Sequence, residues 1–263
     1  MAPPLYFAQD PLAEGFADQV LADHGRLNQD RPGLPLLAVV NAAADDGLAA
    51  HLEAQAIPFR GVFDEGPFQR LAQAGPLLVL PPAAAGAARQ LVRRLRDKPA
   101  LSFIACAADA EAIRTQWCQA MQVAADDEPG ARYLLNLADT RCLPDGLALL
   151  AAVAGPTLLP APGRIWYPAR DGLLRWADVE GTPADAPVRP LDAARWGALL
   201  EAGEADLLLS QVHLHRPELL QSRRPSELYH AVQCWLWRQP KPRDDVPALV
   251  AECIGWLASG APA

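Results

Sequence analysis

Over about the first 150 residues, short apolar runs alternate with segments of helical period, and this rhythm limits the chain to a sheet covered by helices. Leu36–Val40 reads as a first buried strand after Pro35, and Phe59–Phe63, Leu77–Leu80, Leu101–Cys106 and Arg132–Leu137 read as further strands. Between them, Asp45 or Asp46 caps a helix with Leu48, Leu52 and Ala56 on one face. Ala83–Arg96 turns Leu91, Val92 and Leu95 inward, with Arg89, Arg93, Arg94 and Arg96 mostly outward. Asp109 is the expected N-cap of a helix carrying Ile113, Trp117, Ala120 and Met121. The stretch from Phe63 to Leu80 reads as a strand end, an acidic turn at Asp64-Glu65-Gly66, a short helix Pro67–Ala74, a stop at Gly75-Pro76 and a new strand. The expected fold is therefore α/β, a largely parallel or mixed sheet flanked by helices. Residues 1–33, rich in Pro, Asp and Gly, give only a short helix around Phe16–Leu21.

Later segments read differently. Ile165-Trp166-Tyr167 and Leu173–Trp176, joined by a turn at Arg170-Asp171-Gly172, form a hairpin added to that sheet. Residues 180–190 contain three prolines and little apolar content, which reads as a linker after an α/β lobe spanning 1–179. Residues 191–263 read as an all-helical lobe with helices over Asp192–Ala202, Glu204–His215, Ser226–Arg238 and Asp245–Ser259. Trp196, Trp235, Trp237 and Trp256 fall in this lobe, and such aromatic density is a common protein-binding device, although ordinary core packing also uses it. Trp237 lies off the Leu228/Val232/Trp235 stripe and is the best surface candidate.

A formal net charge of −8, with Lys98 and Lys241 the only lysines, argues against nucleic acid and anionic membranes as partners. The five cysteines form no C-x-x-C pair, which suits buried thiols in a reducing compartment. Met1-Ala2-Pro3-Pro4-Leu5 is not a basic region leading into an apolar one, so no signal peptide is expected and the expected location is the cytoplasm. Neither lysine follows a glycine as a phosphate-binding loop requires, and no serine is flanked as a nucleophile elbow requires. His213-Leu214-His215 lies in helical context, where the two imidazoles point apart. Asp126-Asp127-Glu128 and Asp244-Asp245 lack the further oxygen ligands of a cation loop. Cys106 and Cys142 show no neighbouring base, and the arginines of Arg89–Arg96 read as a solvated face. No catalytic constellation, metal site or cofactor is expected.

Taken in order, Leu37-Ala38-Val39-Val40-Asn41-Ala42-Ala43, Gly61-Val62-Phe63-Asp64, Gly75-Pro76-Leu77-Leu78-Val79 and Leu137-Ala138-Asp139-Thr140-Arg141 resemble the type VI secretion effector-adaptor (chaperone) family over roughly residues 34 to 178. Asn41, Gly61, Ala138 and Thr140 depart from the family's usual residues, while the Asp139-x-Arg141 pair is kept. The resemblance implies a cytoplasmic adaptor that holds a toxic effector and helps load it onto a spike protein of the valine-glycine-repeat family. It marks Phe63, Asp64, Gly75, Pro76, Asp139 and Arg141 as motif residues. Asp64 and Asp139 are expected to cap a helix or pair with an arginine such as Arg141, and the partner surface is expected in the helical lobe. The rival expectation is a metal- or nucleotide-dependent enzyme in which Asp64, Asp109 and Asp139 converge at strand ends.

Overall fold

Leu36–Asn41 is buried at all six of its positions, and a strand with no exposed face must lie inside a sheet covered on both sides. A computed structural model, describing residues 6–66, 68–80, 85–125, 131–182, 187–221, 223–240 and 245–260, has that architecture. In chain order the elements are α1 (Phe16–Asp30), β1 (Leu36–Asn41), α2 (Leu48–Ala54), β2 (Phe59–Gly61), β3 (Pro76–Val79), α3 (Ala85–Arg94), β4 (Leu101–Cys106), α4 (Ala110–Ala120), β5 (Gln122–Ala125), β6 (Tyr133–Leu134), α5 (Leu143–Ala152), β7 (Gly163–Pro168), β8 (Leu174–Val179), β9 (Arg189–Leu191), α6 (Ala193–His215), α7 (Pro225–Trp237) and α8 (Val246–Ala258). Pro67, the start of the helix expected from Ala83, the acidic turn at 126–128, residues 183–186 of the expected linker, Lys241 and Asp244 lie outside the described residues. The chain divides into two compact units: Pro11–Ala193 forms one, and the chain up to Asp10 together with that from Ala194 forms the other.

In the first unit, six strands lie in the order β2-β3-β1-β4-β7-β8. Every hydrogen-bonded pair in that sheet is antiparallel, which corrects the largely parallel alternative while keeping the α/β class. The reason is in the connections. Strands joined through a helix, β1 to β2 and β3 to β4, do run the same way, as a crossover requires. But β3 lies between the first two and β1 between the second two, so hydrogen-bonded neighbours oppose each other. Alternate residues serve opposite faces. Leu36, Ala38 and Val40 join a core with Phe16, Val20, Leu48, Leu52 and Leu91 from α1, α2 and α3, and with Leu95 just after α3. Leu37 and Val39 join a second core with Ile113, Trp117, Leu143 and Leu150 from α4 and α5.

Several elements differ from expectation. Instead of one turn and a half, α1 runs for 15 residues, because Phe16, Val20 and Leu27 give it a buried face against the sheet. The expected helix after Asp64 contracts to a 3-10 turn at Gln69–Leu71. Asp45 does not cap α2 by its side chain; it takes two bonds from Arg94, at 2.8 and 2.9 Å, and an ion pair from Lys98 at 3.2 Å. Only Tyr133–Leu134 of the run Arg132–Leu137 is strand, in a small sheet ordered β6-β5-β9. There β5 and β9 pair in parallel. Thus the last residues of the expected linker are a strand, for a physical reason: Arg189 and Leu191 are fully buried. Arg189 donates to the carbonyls of Val153 at 2.9 Å, Pro156 at 3.1 Å and Leu150 at 3.4 Å, closing the C-terminal end of α5 with a cation.

The second unit is helical. Where two helices are expected either side of Gly203, α6 is a single helix of 23 residues. A glycine costs a helix about 1 kcal/mol, and packing of Ala205, Leu208, Leu209 and Val212 outweighs that. These residues share a core with Leu228, Val232, Trp235 and Leu236 of α7 and Val250 and Cys253 of α8. The N-terminal strap completes it. Ala8 is buried in this core, the Tyr6 ring stacks on His213 with centroids 5.3 Å apart, and the buried Asp10 carboxylate accepts from Ser226 N at 3.0 Å and Ser226 Oγ at 2.7 Å. Asp10 thereby caps α7 from 216 positions away in the sequence, a role its local sequence does not announce.

Candidate functional site

The motif residues of the α/β unit hold one another. Asp64 Oδ2 accepts the Gly61 N–H at 2.8 Å, and a Cβ on Gly61 would lie 2.1 Å from Asp64 Oδ1. Any larger residue there would push the carboxylate aside. Gly75 plays the same part for Phe63, since a Cβ there would lie 2.6 Å from the Phe63 ring. Phe63 is buried against Phe68, with ring centroids 5.9 Å apart. Pro76 begins β3 opposite Asn41, and its carbonyl accepts from Val62 N at 2.8 Å. Phe63, Asp64, Gly75 and Pro76 thus close the connection between β2 and β3.

Asp139 and Arg141 form the second motif. Asp139 is 5% exposed. Its Oδ1 accepts from Arg141 N and Nε, each at 3.0 Å, and its Oδ2 from Arg141 Nη2 at 2.7 Å. The Asp139 carbonyl also accepts from Cys142 and Leu143 at the start of α5. Such a fork ties the turn before α5 into one conformation.

Asp109, the third acid of the rival reading, accepts from Ala112 N at 2.7 Å as the N-cap of α4. Each of the three carboxylates is thus engaged by its own turn. Among the described residues no group of three or more His, Cys, Asp or Glu side chains is placed to hold a metal ion, so the structure does not gather Asp64, Asp109 and Asp139 into such a centre. All five cysteines carry free thiols. Burial pushes the thiols of Cys106 and Cys118 up, and that of Cys253 to about 12, the opposite of nucleophile activation. Among the described residues no helix is long and apolar enough to cross a membrane.

The four tryptophans of the helical unit divide. Trp235 is in the core and stacks on the half-buried Trp256, with centroids 5.7 Å apart. Trp196 is half-buried on α6. Trp237, at the end of α7, is 72% exposed. Sequence reasoning missed a second apolar feature: Leu200, Leu207 and Leu214 are 69%, 48% and 52% exposed. They recur every seventh residue, and seven residues fall about 20° short of two helical turns, so the three leucines make one row along α6. Their spacing is visible in the sequence, but a helix expected to break at Gly203 conceals that they share a face.

Residues 36–154, less than half of the chain, match the model of a family described as Domain of unknown function (DUF4123). That stretch begins with β1 and ends just past α5, and it contains both strand-end motifs. No curated protein and no solved structure matches the chain.

Proposed function

We propose that the protein is a non-enzymatic cytoplasmic adaptor that binds a type VI secretion effector and helps load it onto a spike protein of the valine-glycine-repeat family. The observation that carries this reading is the exposed apolar surface of the helical unit, the Leu200/Leu207/Leu214 row and the Trp237 indole. Monomeric surfaces tolerate scattered apolar residues, but an aligned row on one helix with a nearly bare tryptophan in the same unit supports protein binding. The strand-end acids support the same reading from the other side, because each is consumed by hydrogen bonds within its own turn. The family match covers the segment that holds the motifs on which the resemblance rests.

Co-expression with the effector and spike candidates encoded beside its gene, followed by pull-down, tests the proposal. The expected result is a complex with the effector that Leu207→Glu and Trp237→Ala weaken while the protein's melting temperature holds. Retention of full affinity by both variants would remove the helical unit from the interface.

A further inference from the structure

The six-stranded sheet ends at β8, which pairs with β7 alone among the described residues. The outer backbone N–H and C=O groups of such an edge have no strand opposite them, and an open edge is a template for another extended chain. Beside this edge lies a cleft of about 670 Å³. Leu147 and Leu150 of α5 and Val153 just after it line one side, and Ala177, Val179 and Glu180, from β8 and the residue after it, line the other. The cleft is therefore a slot between a helix and a sheet edge, apolar along its walls. Among the described residues its charged lining is acidic, Asp178 and Glu180. Asp178 is held by Arg164 at 2.7 and 3.0 Å, which leaves Glu180 to set the charge of the open end.

Both walls are fixed. The buried Arg189 guanidinium holds the carbonyls of Leu150, Val153 and Pro156 at the end of α5. Thr157 Oγ1 donates to the Glu180 carbonyl at 2.9 Å, and Thr157 N donates to Thr182 Oγ1 at 2.8 Å. A slot ordered in advance loses little entropy when it is filled. The Glu180 carbonyl is already taken by Thr157, so the edge open to pairing is β8 itself, Leu174–Val179, about 20 Å long and enough to receive five or so residues of a strand whose C-terminal half runs beside the cleft lining at Ala177–Val179.

We propose that this slot takes an extended segment of a partner protein, added to β8 as a seventh strand. Alternate apolar side chains of the segment enter between α5 and β8, and a lysine or arginine of the segment meets Glu180. Backbone pairing supplies the affinity, while the small Ala177 and the acidic end supply the choice of sequence. The inference concerns the α/β unit and stands apart from the adaptor reading, which rests on the helical unit.

The test pans a phage-displayed library of random peptides, about a dozen residues long, on the full chain and measures the enriched peptides by fluorescence anisotropy and amide NMR. Expected are peptides with alternating apolar positions and a basic residue, with amide shifts concentrated on Leu174–Glu180. Ala177→Arg, which fills the slot, should weaken them at least about tenfold. The exposed change Glu180→Arg should weaken them several-fold at low salt and less at high salt, and it keeps the test valid if Ala177→Arg disturbs the fold. Failure to enrich any peptide, enriched peptides that bind both variants unchanged, or shifts confined to the helical unit would overturn the proposal. So would light scattering that shows a dimer abolished by Ala177→Arg, since the edge would then serve a second copy of this chain, or a slot that takes up a small apolar dye and no peptide.

Discussion

In the α/β unit the residues that draw the eye in the sequence are tied to their own neighbours, whereas in the helical unit they are divided between core and solvent. Asp64 serves Gly61, Phe63 packs on Gly75, and Asp139 grips Arg141. Of the exposed large apolar residues of that unit, Leu71 and Tyr133 lie on separate short elements, and only Leu173 and Trp176 share one, the β7–β8 hairpin. The helical unit is less than half as long, yet it exposes Leu200, Leu207, Leu214, Trp237 and Val246, three of them in one row. A recognisable motif and a binding surface are thus different things in this chain. The first fixes a fold, and the second is written where no motif is.

If the α/β unit is self-contained, its boundaries matter more than any side chain. A fragment spanning residues 11–193 should unfold cooperatively in urea. One ending at Pro187 loses β9, the buried Leu191 and the Arg189 cation that closes α5, and it should be less stable by about 5 kcal/mol, from burial of one leucine and several orphaned carbonyls. Equal midpoints for the two fragments would show that residues 188–193 contribute no more than the linker expected over 180–190 would.

That boundary also shows what the sequence could express. The hairpin was legible because Asp171-Gly172 marks its turn: Gly172 has φ +73° and Asp171 Oδ1 accepts Leu173 N at 3.0 Å. Asp109 was legible as a cap for the same reason, that both partners are local. Strand order was not legible, since a crossover helix looks alike whether or not a strand inserts between the strands it joins. β9 was hidden because one buried arginine among prolines reads as a polar connection until the carbonyls that it meets are known. In the candidate binding region, the phase of Trp237 was legible and the leucine row was not, because that row depends on α6 continuing through Gly203.

The N-terminal strap gives the next largest effect, and it falls in the other unit. Asp10 is buried and accepts two hydrogen bonds at the start of α7. Asp10→Ala should cost about 3 kcal/mol, the range of a charge-assisted bond together with a lost cap. Hydrogen exchange should speed up in α6 and α7 while β1 and β4 stay protected. Equal acceleration in both units would mean that they unfold together, and the comparison between them would lose its thermodynamic meaning.

A smaller loss is expected in the motif that looks most functional. Asp139→Ala leaves Arg141 without its fork and loosens the turn before α5, at about 2 kcal/mol. The drop should appear in the urea midpoint, with effector binding unchanged once the protein is folded. An unchanged midpoint together with lost binding would reverse the assignment and place a contact residue in the α/β unit.

The smallest change in stability should accompany the largest change in binding. Trp237 ends α7 with most of its indole in solvent, so its truncation opens no cavity and removes no buried hydrogen bond. Trp237→Ala should move the urea midpoint by less than about 0.5 kcal/mol. An exposed tryptophan that becomes buried at an interface anchors about 2 kcal/mol of affinity, so the same variant should bind its effector some thirtyfold more weakly. Leu207→Ala, from the middle of the α6 row, should weaken binding less, because leucine is under-represented among residues that dominate interfaces. The two variants together separate the alternatives. Loss of binding in both places the client across α6 and the end of α7, loss in Trp237→Ala alone confines it to α7, and loss in neither removes the helical unit from the interface while leaving its fold untouched.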